Sequence, residues 1–261
     1  MIVTELLDYN LFMLMNPGIC FHPGGLLATY KVTRNVPGIS KESGILDFGS
    51  GNGLSLFFLQ KMGFKKLYGY DVNAQLIEKA KKRFGANREI LFYDALTDWH
   101  NATPEIYLMM LESIFSYIKE SDMLGFTTQL KKVMAISGAK YLSVIDFYCI
   151  DQPSEAMKKE FRYIFNSNQL RTKLEVWQII NSLSPNGKVV YQEELKIANQ
   201  PEVVFGNKIN NYDYLKNIIK DHVASVEEAI EYQKKYIGHI CAFNDTFCKN
   251  FIFFKAVVEI N

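Results

Sequence analysis

An apolar run that breaks directly into a glycine-rich loop constrains this chain more than any other feature. Gly44-Ile-Leu-Asp-Phe48 reads as a short buried strand and runs straight into Gly49-Ser-Gly51-Asn-Gly53. Glycines there permit a tight turn with positive φ and let a ligand come close to the backbone. Leu54 to Met62 follows as a helix whose N-terminal amides are expected to face that ligand. Strand, glycine loop and helix in this order suit an α/β sheet that binds nucleotides at the carboxyl ends of its strands. A dinucleotide fingerprint has the spacing G-x-G-x-x-G. Here the sixth position from Gly49 is Leu54, so the pattern is G-x-G-x-G. This keeps a nucleotide-type ligand and argues against a pyrophosphate.

The flanking periodicity repeats the β-α alternation, which implies a parallel sheet with right-handed crossovers. Strands are expected at 66–70, 89–93, 106–110 and 140–147. Helices are expected at 26–36, 74–84, 113–118 and from Ser121-Asp122 to about 135, the last stopped by Gly138. Asn73 reads as the N-cap of the helix over 74–84. Beyond Asp151 the pattern changes. Helices over 154–166 and 169–182, a strand over 188–192, a mostly helical block over 198–248 and a last strand over 251–260 are expected. Residues 1–20 read as an apolar helix, broken at Asn16-Pro-Gly18 and followed by a turn at His22-Pro-Gly-Gly25.

Two carboxylates join the loop. Asp71 ends the second strand, 18 positions after Gly53, where it can accept hydrogen bonds from both hydroxyls of an adenosine ribose. Asp94 ends the third strand, where it can accept from an exocyclic adenine amine. With Asp47, three carboxylates come to the ends of neighbouring strands.

Ile45-Leu-Asp-Phe-Gly-Ser-Gly-Asn-Gly53, Tyr68-Gly-Tyr-Asp71-Val-Asn73 and Phe92-Tyr-Asp94-Ala95 resemble the successive motifs of class I S-adenosylmethionine-dependent methyltransferases. The resemblance covers roughly residues 44–148. It implies a Rossmann-like α/β fold: a mostly parallel seven-stranded sheet, helices on both faces, the last strand antiparallel. It implies S-adenosylmethionine as cofactor and S-adenosylhomocysteine as product. Asp47 and the loop Gly49, Ser50, Gly51, Asn52 and Gly53 would face the methionine part of the cofactor. Asp71 would hold the ribose, Val72 would lie beside the adenine, and Asp94 and the amide of Ala95 would read it. Leu111 and Glu112, expected just after the fourth strand, would lie near the transferring methyl. His22-Pro-Gly-Gly25-Leu26 and Leu111-Glu-Ser-Ile-Phe-Ser116 resemble segments of some small-molecule methyltransferases, with the N-terminal segment folded over the cofactor. One domain over 1–261 is expected: an N-terminal helical cap (1–40), a cofactor-binding core (41–150) and a substrate-side half (151–261) with a helical insertion at about 198–248.

Composition narrows the acceptor. Lys and Arg number 29 against 28 Asp and Glu, a net charge of +1. A nucleic-acid binder needs a basic excess or stripe, and none is visible. Aromatic residues make up 14%, and Tyr212, Tyr214, Tyr232, Tyr236 and Phe243 suit an aromatic-lined pocket as well as ordinary packing. Residues 109–112 are Met-Met-Leu-Glu, unlike the Asn-Pro-Pro-Tyr type of tetrapeptide that marks many enzymes methylating planar amides or DNA bases. A small-molecule acceptor is therefore expected, with an N, O or C nucleophile. Glu112 and His22 are the candidates for proton removal or substrate orientation. Alternatives are another reaction of the same cofactor, such as a cyclase, or a non-catalytic binding subunit. His239, Cys241 and Cys248 lack metal-ligand spacing or a clear fourth ligand, so no metal is expected. The four cysteines form no C-x-x-C pair, and no leader or membrane span is visible. A cytoplasmic protein with reduced thiols, monomeric or homodimeric, is expected.

Overall fold

A computed structural model describes residues 22, 25–84, 90–94, 104–165, 169–196 and 250–260. The expected helix over 1–20, Pro23-Gly24, Ala95, the block over 198–248 with its aromatics, and Cys20, His239, Cys241 and Cys248 lie outside these residues. The elements follow in the order α1 (Gly25–Arg34), β1 (Gly44–Phe48), α2 (Leu54–Lys61), β2 (Lys66–Tyr70), α3 (Ala74–Phe84), β3 (Ile90–Tyr93) and β4 (Leu108–Glu112). Then come α4 (Met123–Ser137), β5 (Tyr141–Cys149), α5 (Glu155–Phe165), α6 (Lys173–Leu183), β6 (Lys188–Lys196) and β7 (Phe251–Glu259).

The strands form one seven-stranded sheet in the order β3-β2-β1-β4-β5-β7-β6. Strands β1 to β5 run parallel, and β7 lies antiparallel between β5 and β6. Every residue of β1 and β4 is buried. Strands covered on both faces read as continuous apolar runs, and these two are the centre of the sheet. Alternate side chains divide between two cores. Leu108 and Met110 pack with Val32, Leu56 and Ile77 on one face. Met109 and Leu111 pack with Leu46, Val133 and Ile180 on the other. Helix α3 shows why such helices form: Leu76, Ile77, Ala80 and Phe84 make a buried stripe at helical spacing. The Asn73 side chain caps it, accepting from the amides of Gln75 and Leu76. No helix among the described residues is long and apolar enough to cross a membrane.

Several boundaries differ from expectation. Strand β4 spans Leu108–Glu112, not 106–110. A run buried on both faces carries no periodicity to mark its ends, and the Ile106 amide is taken by the Ser137 carbonyl at the end of α4. Residues 113–118 form a turn rather than a helix. Six residues cannot propagate a helix alone, and here the backbone is drawn off by side chains: the Phe115 amide donates to Asp146, and Arg171 donates to the carbonyls of Phe115 and Ile118. Helix α4 is preceded by a 3-10 turn at Glu120–Asp122, and Asp122 makes no side-chain cap. Helix α6 starts at Lys173, not 169, behind a capping box in which Thr172 and Glu175 serve each other's amides. Strand β6 continues to Lys196 through a bulge at Val189/Tyr191. Its Glu193 and Glu194 look like loop residues but pair with Lys31, Lys255 and Lys173.

Gly138 ends α4 with φ +64°, as expected of a helix stop, and nothing lies within 4 Å of the place a Cβ would occupy. Gly138→Ala should therefore lower stability by about 1 kcal/mol through backbone strain alone. The midpoint of urea unfolding, with an unchanged denaturant slope, checks this.

Candidate functional site

Strand β1 lies between β2 and β4, so the chain's crossovers diverge there and leave a crevice at the carboxyl ends of these strands. A cavity of about 770 Å³ occupies it, lined by the glycine loop, the ends of β2 and β4, the starts of α2 and α3, and the turn after β4. Gly49, Gly51 and Gly53 all take positive φ, at 92°, 52° and 75°. A Cβ on Gly49 would stand 2.6 Å from Ile114 Cδ1, and one on Gly53 would stand 2.6 Å from Phe92 Cζ. The loop is thus wedged between the turn after β4 and the side of β3.

Its amides are already used, against expectation. Gly49 and Ser50 donate to the Tyr70 carbonyl at 2.6 and 2.9 Å. Gly51 donates to Asp71 Oδ2 at 2.9 Å, Gly53 to the Ser50 carbonyl at 2.8 Å, and Leu54 to Asn52 Oδ1. A phosphate cradle presents such amides to its ligand. Here the polar groups facing the cavity are carboxylates.

Three carboxylates line the cavity: Asp47, Asp71 and Glu112. No Lys or Arg lines it among the described residues. Asp71 also accepts from the Asn73 amide at 2.8 Å. Burial raises its carboxyl above the usual range, opposed by the amides of Asn73 and Gly51. An ionised carboxylate offers about four lone-pair sites, so two remain for a ligand. Asp47 is 2% exposed, and its Oδ1 has no hydrogen-bond partner among the described residues. Burial, then the charges of Glu112 and Asp71, push its carboxyl well above the ordinary range.

Glu112 ends β4 on the same sheet face as Asp47. Asp47 pairs with Met110, so Glu112 lies one same-face position further on. Its carboxylate accepts from Thr29 of α1 at 2.9 Å and from Ser55 of α2 at 2.6 Å. His22 Nε2 lies 3.0 Å from Glu112 Oε2, and both side chains are buried. The structure thus brings His22 and Glu112 together at one wall of the cavity. Thr29 and Ser55 complete the cluster. Sequence reading missed them because a hydroxyl on a helix carries no motif.

The other expected positions divide. Ser50, Asn52 and Val72 line the cavity, with Val72 81% exposed at its mouth. Leu111 lies within β4, not after it, and points into the opposite core, because strand alternation turns it away from Glu112. Asp94 is exposed at the end of β3 and is not among the lining residues. Behind the cavity, Asp146 on β5 accepts from the amides of Phe115 and Phe147 at 3.0 and 2.9 Å. Burial pushes its carboxyl up to about 7, against those amides and the Arg171 charge. Asp146 and Arg171 together hold the turn that supplies Ile114, Tyr117 and Ile118 to the cavity wall.

Residues 45–138 match the model of a methyltransferase domain family. The matched stretch holds the glycine loop, Asp47, Asp71 and Glu112. Solved structures of similar fold align with nearly the whole chain. The cyclopropane synthase MmaA2 from Mycobacterium tuberculosis is 12% identical with a TM-score of 0.63, over 97% of this chain and 94% of that one. A phosphoethanolamine N-methyltransferase from Haemonchus contortus, with phosphomonomethylethanolamine and S-adenosylhomocysteine, is 12% identical with a TM-score of 0.62. That match covers 98% of this chain and 61% of the other. The geranyl diphosphate C-methyltransferase from Streptomyces coelicolor, with Mg²⁺, geranyl diphosphate and S-adenosylhomocysteine, is 10% identical with a TM-score of 0.58. The match covers 90% of this chain and 77% of that one. None of the curated proteins matches the chain in sequence.

Two outcomes follow from this geometry. Gly49→Ala should lose about 1–3 kcal/mol of stability from strain at positive φ and the contact with Ile114. Pairing it with Ile114→Ala should restore only the steric part, read as the shift in thermal midpoint. Asp146 binds a proton in the folded state up to about pH 7, whereas an unfolded carboxylate releases it near about 3.9. Stability therefore falls as pH rises through that window. Asp146→Asn should flatten this slope by up to about 1.4 kcal/mol per pH unit, measured by urea unfolding at several pH values between 4 and 7. An unchanged slope would show that Asp146 titrates normally.

Proposed function

We propose that the cavity binds S-adenosylmethionine and that the chain directs its methyl group to a small-molecule nucleophile. One observation carries the choice of ligand: the amides of Gly49, Ser50, Gly51 and Gly53 are taken within the protein, and the strand ends beside the loop offer the cavity carboxyl groups. A phosphorylated nucleotide would meet three carboxyl groups there and no basic side chain among the described residues. A nucleoside bearing a sulfonium and an ammonium group meets their complement.

The residues present fit that ligand. Asp71 keeps lone pairs for a ribose diol while two amides hold it in place. The unpaired oxygen of buried Asp47 suits an ammonium group. Exposed Val72 offers an apolar surface for a base. When bound, the cofactor supplies an electrophilic methyl whose bond to sulfur breaks, with the electron pair passing to sulfur, as the acceptor bond forms. The protein aligns the acceptor, excludes water and holds charge. Tyr117, Ile118 and Phe126 give the acceptor side an apolar wall, and His22 and Glu112 face it as polar partners. In this reading residues 41–150 hold the cofactor and 151–261 contribute to the acceptor side, without metal or nucleic acid. The small acceptors named in two of the structural neighbours support the size class, and the near-neutral charge agrees.

Calorimetric titration with S-adenosylhomocysteine should show binding with one site per chain. Asp71→Ala should weaken it at least about tenfold, since a hydrogen bond to a charged group contributes about 1.5–3 kcal/mol. Binding of ATP in preference to either adenosyl compound would contradict the reading.

A further inference from the structure

The Glu112 carboxyl is ringed by hydroxyls from two helices and an imidazole. Both hydroxyl protons of Thr29 and Ser55 point at its two oxygens, at 2.9 and 2.6 Å. With those protons committed, the same hydroxyl oxygens can only accept from His22 Nε2, which lies 3.1 and 3.3 Å from them and 3.0 Å from Glu112 Oε2. With its proton on Nε2, His22 also donates toward this group, and three donors then converge on one carboxylate. An ionised carboxylate only accepts, and this donor set stabilises that form. The Glu112 side chain is 4% exposed, so solvent screens its charge little.

The charge has a direction. Asp71 ends β2 and Glu112 ends β4, with β1 between them. Two strand spacings, about 10 Å, separate these ends. A nucleoside held at Asp71 that extends across β1 brings the group beyond its ribose toward Glu112. Asp47 lies on the same face, and no Lys or Arg lines the cavity among the described residues.

Resting on the function proposed above, we propose that Glu112 selects the charge state of the bound cofactor. It favours the sulfonium form over the neutral thioether left after transfer, so the spent cofactor is the less favoured ligand. Thr29, Ser55 and His22 are positioning residues that hold the carboxylate in place and aimed.

The test compares dissociation constants by calorimetry for S-adenosylmethionine, S-adenosylhomocysteine and an analogue carrying an amine-bearing carbon in place of the methylated sulfur. Wild type, Glu112→Gln and Ser55→Ala are measured at one pH and salt concentration. Glu112→Gln should shift the thioether-to-sulfonium ratio of dissociation constants toward the thioether by about tenfold or more, as removal of an opposite charge within ~4–6 Å does. The amine analogue should follow the sulfonium. Ser55→Ala should shift the ratio the same way by less, which keeps the test decisive should Glu112→Gln fail to fold. A ratio unchanged in both variants overturns the proposal and leaves the cofactor reading standing. No binding of any of the three to folded wild type overturns both.

Discussion

The link between the glycine loop and the end of β2 holds the rest of the site in place. The Tyr70 carbonyl takes two loop amides and the Asp71 carboxylate a third. Without these bonds the loop would present several unpaired donors to the crevice, and an anion would be its natural occupant. With them the loop becomes a closed, shaped floor. The carboxylates on the neighbouring strands are then the groups that meet a ligand. The sign of the site is decided by who takes the loop amides, not by the glycines.

That distinction explains what was legible in the amino-acid sequence. The order of strands and helices was readable because each helix carries a buried stripe and each central strand an apolar run. The glycine spacing and Asp71 were readable because their chemistry is local. The fate of the loop amides was not, since it depends on the parallel register between Asp47 and Gly69 that sets Tyr70 beside the loop. Leu111 shows the same limit. A strand end can be placed by pattern, but only the packed sheet decides which side chain turns toward the crevice.

The wall opposite the loop shows tertiary contacts overriding local preference. Residues 113–118 have a helical composition, yet Asp146 and Arg171 draw their amides and carbonyls into a turn. Ser113 takes φ +56°, unusual outside glycine, at the point where β4 gives way to this turn. Two buried ionic side chains behind the turn thus shape a surface they never reach. The same economy appears at Glu112, where hydroxyls from two helices and an imidazole converge on one strand end. Neither arrangement fits within a single motif, because its members come from three or four separate parts of the chain.

The central claim is that the floor made by the glycine loop and the β2 end is where an adenosyl ligand rests. Amide chemical-shift mapping on isotope-labelled protein tests it most directly. On addition of S-adenosylhomocysteine, the amides of Gly49, Gly51, Asp71 and Val72 should move first and furthest, with smaller shifts at Glu112 and Ser113. Shifts that leave this group still and cluster elsewhere on the molecule would contradict the account.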